Sequence, residues 1–416
     1  MIHPDWRYVW YPGPHAETID PMTVNRISRR RVLTSTAALW AGKAIAAVPP
    51  TVDGIETTPG KVGLILRSAV PLALETAVAD FTDPITQNER FFVHYNLATP
   101  PTLADLTDWS LRIVGDAAER PFQFSMEELR KFPMREVIAV CHCAGNGRSL
   151  FNPPAEGVQW GEGAMGCARW RGVRLRDVLT KAGVKPETQE VVLTGADSVL
   201  NPQQPPYSKS LPLDVAMDAG TLLAYEMNGK PLPLLNGYPL RLVVPGWSAT
   251  YWMKHVTGLE IRSSRFDGFW MTTQYRVPRG LFPVERGFIS QETATTSPIT
   301  ENMLNCVITN MRNGETVKLA GLELRGLAWG GVSGVQSVSV SLDDGTRWRA
   351  ATLGPDIGRY AFRAWRFGVT GIRPGPLSLL IRATSNDGQT QGERVRFNPG
   401  GYHHNTQRKI TLVTTA

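Results

Sequence analysis

Residues 136–150 read EVIAVCHCAGNGRSL. Val137, Ile138 and Val140 form the β-branched apolar run of a buried strand. The run drives straight into Cys141, His142 and Cys143, then into Ala-Gly-Asn-Gly, whose small residues let the backbone pass close to a bulky group. Three chemistries use such a stretch: a metal thiolate needs a soft ligand on rigid backbone, a nucleophilic cysteine needs a base, and a structural cysteine needs only space. A thiolate ligand is favoured, with Arg148 able to place a fixed charge beside Cys143, while a structural Cys-x-Cys pair stays open. Zinc ranks lower, because a third and fourth ligand at workable spacing are missing.

Outward from this stretch, 416 residues exceed what a single core of ~250–300 residues usually holds, so two domains are expected. Hydrophobic residues make up 42% and charged ones 19%, which excludes a disordered chain; 31 prolines and 39 glycines point to many turns and short strands. The net charge of +7 comes without a basic run beyond the first 35 residues, which disfavours nucleic acid and suits an anionic cofactor, substrate or redox partner. Four cysteines are too few for a disulfide framework, and no Cys-x-x-Cys-His encodes a c-type haem.

Ser28-Arg-Arg-Arg-Val-Leu33 ahead of a short, weakly apolar segment reads as a twin-arginine export signal, too short to span a bilayer, so no transmembrane anchor is expected. Residues 1–48 are assigned to an N-terminal extension with this signal, and Met22 competes with Met1 as the true start. In the first half, Leu111–Gly115 and Glu190–Gly195 read as strands, Met126–Phe132 and Leu175–Gly183 as helices, which gives an α+β domain over 55–270. Residues 267–296 have little periodicity and read as a structured connector. Beyond them, Ser337–Leu342, a turn at Asp343-Asp-Gly-Thr and the run from Trp348 form a hairpin, and Leu377–Thr384 leads to a turn at Asn386, so 285–412 is expected to be an all-β, immunoglobulin-like sandwich.

Cys143-Ala-Gly-Asn-Gly-Arg148 resembles the Cys-Ala-Gly-Asn-x-Arg motif of the sulfite oxidase family of molybdenum enzymes. Phe91-Phe-Val-His-Tyr-Asn96, Gly195-Ala-Asp197, Leu223-Ala-Tyr-Glu-Met-Asn-Gly-Lys-Pro-Leu-Pro233 and Gly237-Tyr-Pro-Leu-Arg-Leu-Val-Val-Pro-Gly246 with Lys254 extend the likeness over residues 60–412. The resemblance implies a sulfite-oxidase-type molybdopterin-binding domain followed by a dimerisation domain, with one molybdenum per chain held by the Cys143 thiolate and the dithiolene sulfurs of molybdopterin. It places Phe92, His94, Asn96, Asp197, Asn236, Arg241 and Lys254 at cofactor-binding positions, Asn236 standing where vertebrate members have histidine. Tyr275, five residues after Trp270, matches the active-site tyrosine, and Arg148 is expected to attract the anionic substrate. Cys141 and His142 are left as packing residues.

The implied reaction is oxidation of a small anionic sulfur substrate, sulfite, by oxygen-atom transfer, with electrons leaving singly for a separate periplasmic c-type cytochrome, since no haem is encoded. The chain is expected to be a homodimer or a heteromer with a cytochrome subunit. Two positions depart from the family's oxyanion pocket: His94 replaces an arginine, and Gly400 occupies the place of a second. Histidine does not replace a bidentate guanidinium, though His94 is expected to act as a pH-dependent anion contact. The departures bring in the sulfane dehydrogenase subunit of a sulfur-oxidising complex, acting on carrier-bound sulfane sulfur. A non-catalytic binding protein with a vestigial pterin site is the third reading.

Overall fold

A computed structural model describes residues 55–56, 60–282 and 295–416. The twin-arginine segment, both candidate starts and position 285 lie outside the described residues. The strand Arg135–His142 pairs antiparallel with Met165–Arg174, from Arg135 opposite Gly172 to His142 opposite Met165. Leu222–Met227 continues the sheet, flanked by Lys230–Pro231 and Arg241–Val243. Arg135–His142 reads as an unbroken apolar run towards its end because both of its faces are covered. Ala139 and Cys141 pack into the main core with Trp170 and Leu223, while Val140 packs on the other side against Trp329 and Phe362.

A second five-stranded sheet runs Ser208–Pro212, Glu190–Gly195, Val256–Arg262, Leu111–Val114, Phe122–Phe124, with one parallel pair between Val256–Arg262 and Leu111–Val114. The helices are short. Met126–Arg130 starts with a capping box in which Ser125 and Glu128 satisfy each other's backbone N–H groups, and Leu175–Ala182 stops at Gly183, whose φ of +83° suits glycine.

The second half is all-β, two sheets of four and five strands: Asn305–Ile308, Glu323–Trp329, Arg363–Gly368, Thr352–Leu353, and Thr316–Lys318, Arg408–Thr415, Gly375–Ser385, Val335–Ser341, Arg349–Ala350. Arg408–Thr415 alternates buried and exposed, sending Ile410 and Leu412 into a core with Leu379, Ile381 and Trp365. The expected connector carries a one-turn helix, Phe269–Thr272, and a strand, Arg276–Pro278, paired with Thr296–Pro298.

The stretch 398–404 returns from the second half to the Cys143 loop, where His403 N–H donates to Ala144 O at 2.8 Å. Gly147 has φ +79°, and a Cβ there would lie 2.9 Å from His404 Cβ. Gly147→Ala is expected to destabilise the protein by about 1–3 kcal/mol through a left-handed alanine and a clash in the seam. Gly229→Ala, at φ +75° with nothing within 4 Å, isolates the backbone contribution. Thermal unfolding of the pair checks this: equal losses would show that seam crowding adds nothing.

Candidate active site

Cys143 follows directly on the strand end, and its side chain lines a pocket shared with Phe92, His94, Asn96, Asp197, Asn236, Arg241, Lys254 and Tyr275. Residues spread over 180 positions of sequence meet here because the pocket lies where the Arg135–His142 sheet, the Val93–His94 strand and the turns after Asn236 and Thr250 converge. Of the residues named from the sequence, Arg148 stands outside the lining. Its Nε donates to Gly400 O at 3.0 Å and its Nη1 to Val158 O at 3.0 Å, and the guanidinium lies 5.3 Å from the Tyr402 ring. Its charge still reaches the pocket, favouring the neutral form of His94 and drawing the Cys143 thiol downward against the larger upward push of burial.

His94 is corrected in one respect. Burial, Lys254 and Arg148 lower its pKa to about 3, so the imidazole is neutral across the physiological range and is no pH-dependent anion contact. The ring packs edge-on against Trp160, with Nδ1 3.9 Å from Cys143 Sγ. Tyr275 adopts φ +58°, a strained conformation held by Ile299 N–H on its carbonyl at 2.8 Å. Burial first, then Tyr207 and Tyr402, hold its phenol well above the usual range, so it is a hydrogen-bond donor at neutral pH.

Arg241 lies between Trp170 and Trp252, 5.2 and 5.8 Å from their rings. Its Nη1 donates to Asn236 O at 2.8 Å and its Nη2 to Cys141 Sγ at 3.2 Å. Cys141 therefore does more than pack: its sulfur is an acceptor for this arginine. Lys254 donates to His94 O at 2.9 Å, and burial lowers its pKa while Asp197 opposes the shift. His255 donates from Nδ1 to Tyr238 O at 2.6 Å, so its Nε2 accepts from Tyr95 OH at 2.8 Å and has no proton for Asp197, 3.8 Å away.

These residues fit an anionic, hydrogen-bonding cofactor tied to a thiolate-bound metal. Arg241 Nε, Asn96 Nδ2, Asp197 Oδ1 and Thr250 Oγ1 are buried around the pocket without hydrogen-bond partners, a set of donors and acceptors left for a ligand. Among the described residues no group of three His, Cys, Asp or Glu side chains is placed to hold a metal, and Cys143 is the one thiol in the pocket lining. Sequence reading missed Tyr207, Thr250, Trp252 and Met253, also in the lining, and Lys61 behind it. Tyr207 sits in a proline-rich run without periodicity, and only the fold carries its hydroxyl to Thr250 O at 2.7 Å.

Residues 96–270 match the family described as oxidoreductase molybdopterin binding domain, and residues 296–410 match the Mo-co oxidoreductase dimerisation domain. The chain is 32% identical to sulfite oxidase of Gallus gallus over 352 residues, covering 81% of this chain and 74% of the relative. The chain belongs to the sulfite oxidase family. Mitochondrial sulfite oxidase of Macaca fascicularis is 37% identical over 294 residues, 68% of this chain and 52% of the relative, so this family member spans about half the length of such mammalian relatives. The crystal structure of the sulfane dehydrogenase SoxCD from Paracoccus pantotrophus superposes with a TM-score of 0.69 at 26% identity, covering 88% of this chain and 92% of that one. As in the sulfite oxidase family, a molybdopterin-binding half precedes a β-rich dimerisation half. Among the described residues no helix is long and apolar enough to cross a membrane.

Proposed function

We propose that this chain is a molybdenum oxidoreductase that oxidises sulfite to sulfate and passes the electrons to a separate c-type cytochrome. The carrying observation is that the Cys143 thiol shares one pocket with the cations Arg241 and Lys254 and the donor Tyr275. Cys143 would hold the metal, while Arg241, Lys254, Asn96 and Asp197 would hold the pterin and its anionic end. When bound, the molybdenum–molybdopterin group supplies oxygen-atom transfer and accepts the electron pair. The chain's own residues bind and orient. Tyr275 keeps its proton and donates a hydrogen bond into the pocket, neutral His94 closes the wall beside Cys143, and Arg148 biases the site towards anions through its field. A vestigial site would have no reason to keep this set together.

The second reading, oxidation of carrier-bound sulfane sulfur, is favoured by one observation: the wall beside Cys143 presents His94, Tyr207 and Tyr275, while Arg148 is spent on two backbone carbonyls. Sulfane dehydrogenase is also what the superposed structure from Paracoccus pantotrophus is called. The rest of the reading is export to the periplasm by the twin-arginine route, domain limits of 55–270 and 285–412, and assembly as a homodimer or with a cytochrome subunit. Metal and pterin analysis of the purified chain with sulfite-dependent cytochrome c reduction tests it. Absence of molybdenum sinks the enzyme reading, and molybdenum with turnover of a carrier persulfide but not sulfite selects the second.

A further inference from the structure

Lys61 is a buried cation that the site as described does not use. It is 4% exposed, and its ammonium donates to Asn88 O at 2.7 Å, Phe91 O at 2.9 Å and Asn236 Oδ1 at 2.5 Å. No carboxylate pairs with it among the described residues. Asn236 is committed in turn: its Nδ2 donates to Phe92 O at 3.3 Å and its main-chain carbonyl accepts from Arg241 Nη1 at 2.8 Å. Asn236 thus stands between the two cations, holding Lys61 on its side-chain oxygen and Arg241 on its main-chain carbonyl, and the Arg241 Nε is left as an unpartnered donor at the pocket.

The arrangement is costly without a ligand. Burial, then repulsion from Arg241 and Lys254, lower the Lys61 pKa to about 7, with Glu89 opposing. Three buried cations gathered around one pocket acid, Asp197, make sense when an anion of more than one charge offsets them. We propose that Lys61 is a positioning residue of the cofactor site, anchoring the side chain of Asn236, the residue whose main-chain carbonyl holds the Arg241 guanidinium, and adding a third positive charge behind the anionic end of the bound group. This rests on the molybdopterin reading above. Beside the neutral Asn236 amide, Lys61 supplies a charge that the amide lacks.

The test uses the loaded protein and Lys61→Gln, which keeps N–H donors and removes the charge. Pterin and molybdenum release during dialysis in mild denaturant is expected to accelerate about 10- to 100-fold, the usual effect of losing a supporting partner of a metal site. Asn236→Ala keeps the main-chain carbonyl that Arg241 uses and removes the side-chain oxygen that Lys61 holds; it is expected to accelerate release as well, and the double variant to be no worse than the more affected single one, because both break the same Lys61–Asn236 contact. Release at the wild-type rate, or fully additive effects, overturns the proposal. Equal falls in thermal midpoint for the loaded and cofactor-free forms, or a cofactor-free variant that does not fold, would mark Lys61 as scaffold and overturn it too. Lys61→Met, with neither charge nor donors, should lose pterin at least as fast as Lys61→Gln. Wild-type protein that carries no pterin sinks the parent reading instead.

Discussion

Cys143→Ser leaves a folded protein with little or no molybdenum, and turnover falls by more than about 100-fold, beyond what supporting partners of a metal site are worth. The reason lies in the donor set. Among the described residues Cys143 is the one thiol in the pocket lining, the Met253 sulfur there cannot supply an anionic thiolate, and Cys141 has its sulfur engaged by Arg241. Serine supplies a hard oxygen in nearly the same volume, so packing is kept while metal preference changes. Pterin held by Arg241, Lys254 and Asp197 should survive the substitution in part, so the molybdenum-to-pterin ratio falls further than pterin content. Undiminished molybdenum and turnover in Cys143→Ser would remove this thiolate from the mechanism.

Stability falls steeply as pH drops below about 6.5. Burial holds His142 at about 4 and His255, His403 and His404 at about 3, against 6.5 for the exposed side chain. The unfolded chain therefore binds more protons than the folded one throughout that window, and folded-state stability is lost as pH falls from the unfolded towards the folded value. Each such histidine contributes at most roughly 1.4 kcal/mol per pH unit, a slope approached only well below the unfolded pKa, and His94, also held at about 3, acts in the same sense. The geometry says why they resist charge. His404 Nδ1 accepts from Arg408 Nη1 at 2.8 Å, and a proton there would set two cations face to face. His255 uses both ring nitrogens as a neutral tautomer, and His142 Nε2 and His403 Nδ1 have no buried acceptor for an added proton. Asp197 and Glu190, raised by burial, act in the opposite sense at lower pH. Urea midpoints with measured proton uptake between about pH 6.5 and 5.5 check the slope, and His404→Asn should flatten it; a level profile would show that these rings are not held neutral.

Much of the fold was legible from local pattern. The run to Val140, the alternation in Ser337–Leu342 and the glycine stop at Gly183 correspond to a strand, a strand and a helix end because burial on a two- or 3.6-residue period is a local property. The site was legible only in part. Cys143 and most residues read from motifs meet in one pocket, while Arg148, expected to attract the anionic substrate, lies outside the lining with its guanidinium on Gly400 O and Val158 O. A motif gives spacing along the chain, and the direction of a side chain depends on what a segment 250 residues away brings against it.

By itself the sequence determined which residues are chemically able to serve: a thiolate at Cys143, cations at Arg241 and Lys254, a phenol at Tyr275, and a two-part architecture from hydrophobic periodicity. Tertiary structure decided their states and partners. It made His94 neutral by placing it near Lys254 and Arg148 in a desolvated pocket, turned Cys141 from packing residue to acceptor for Arg241, and brought Lys61 against Asn236 from 175 positions away. Protonation and hydrogen bonding depend on the local dielectric and on which groups converge in space, and neither is written in residue order.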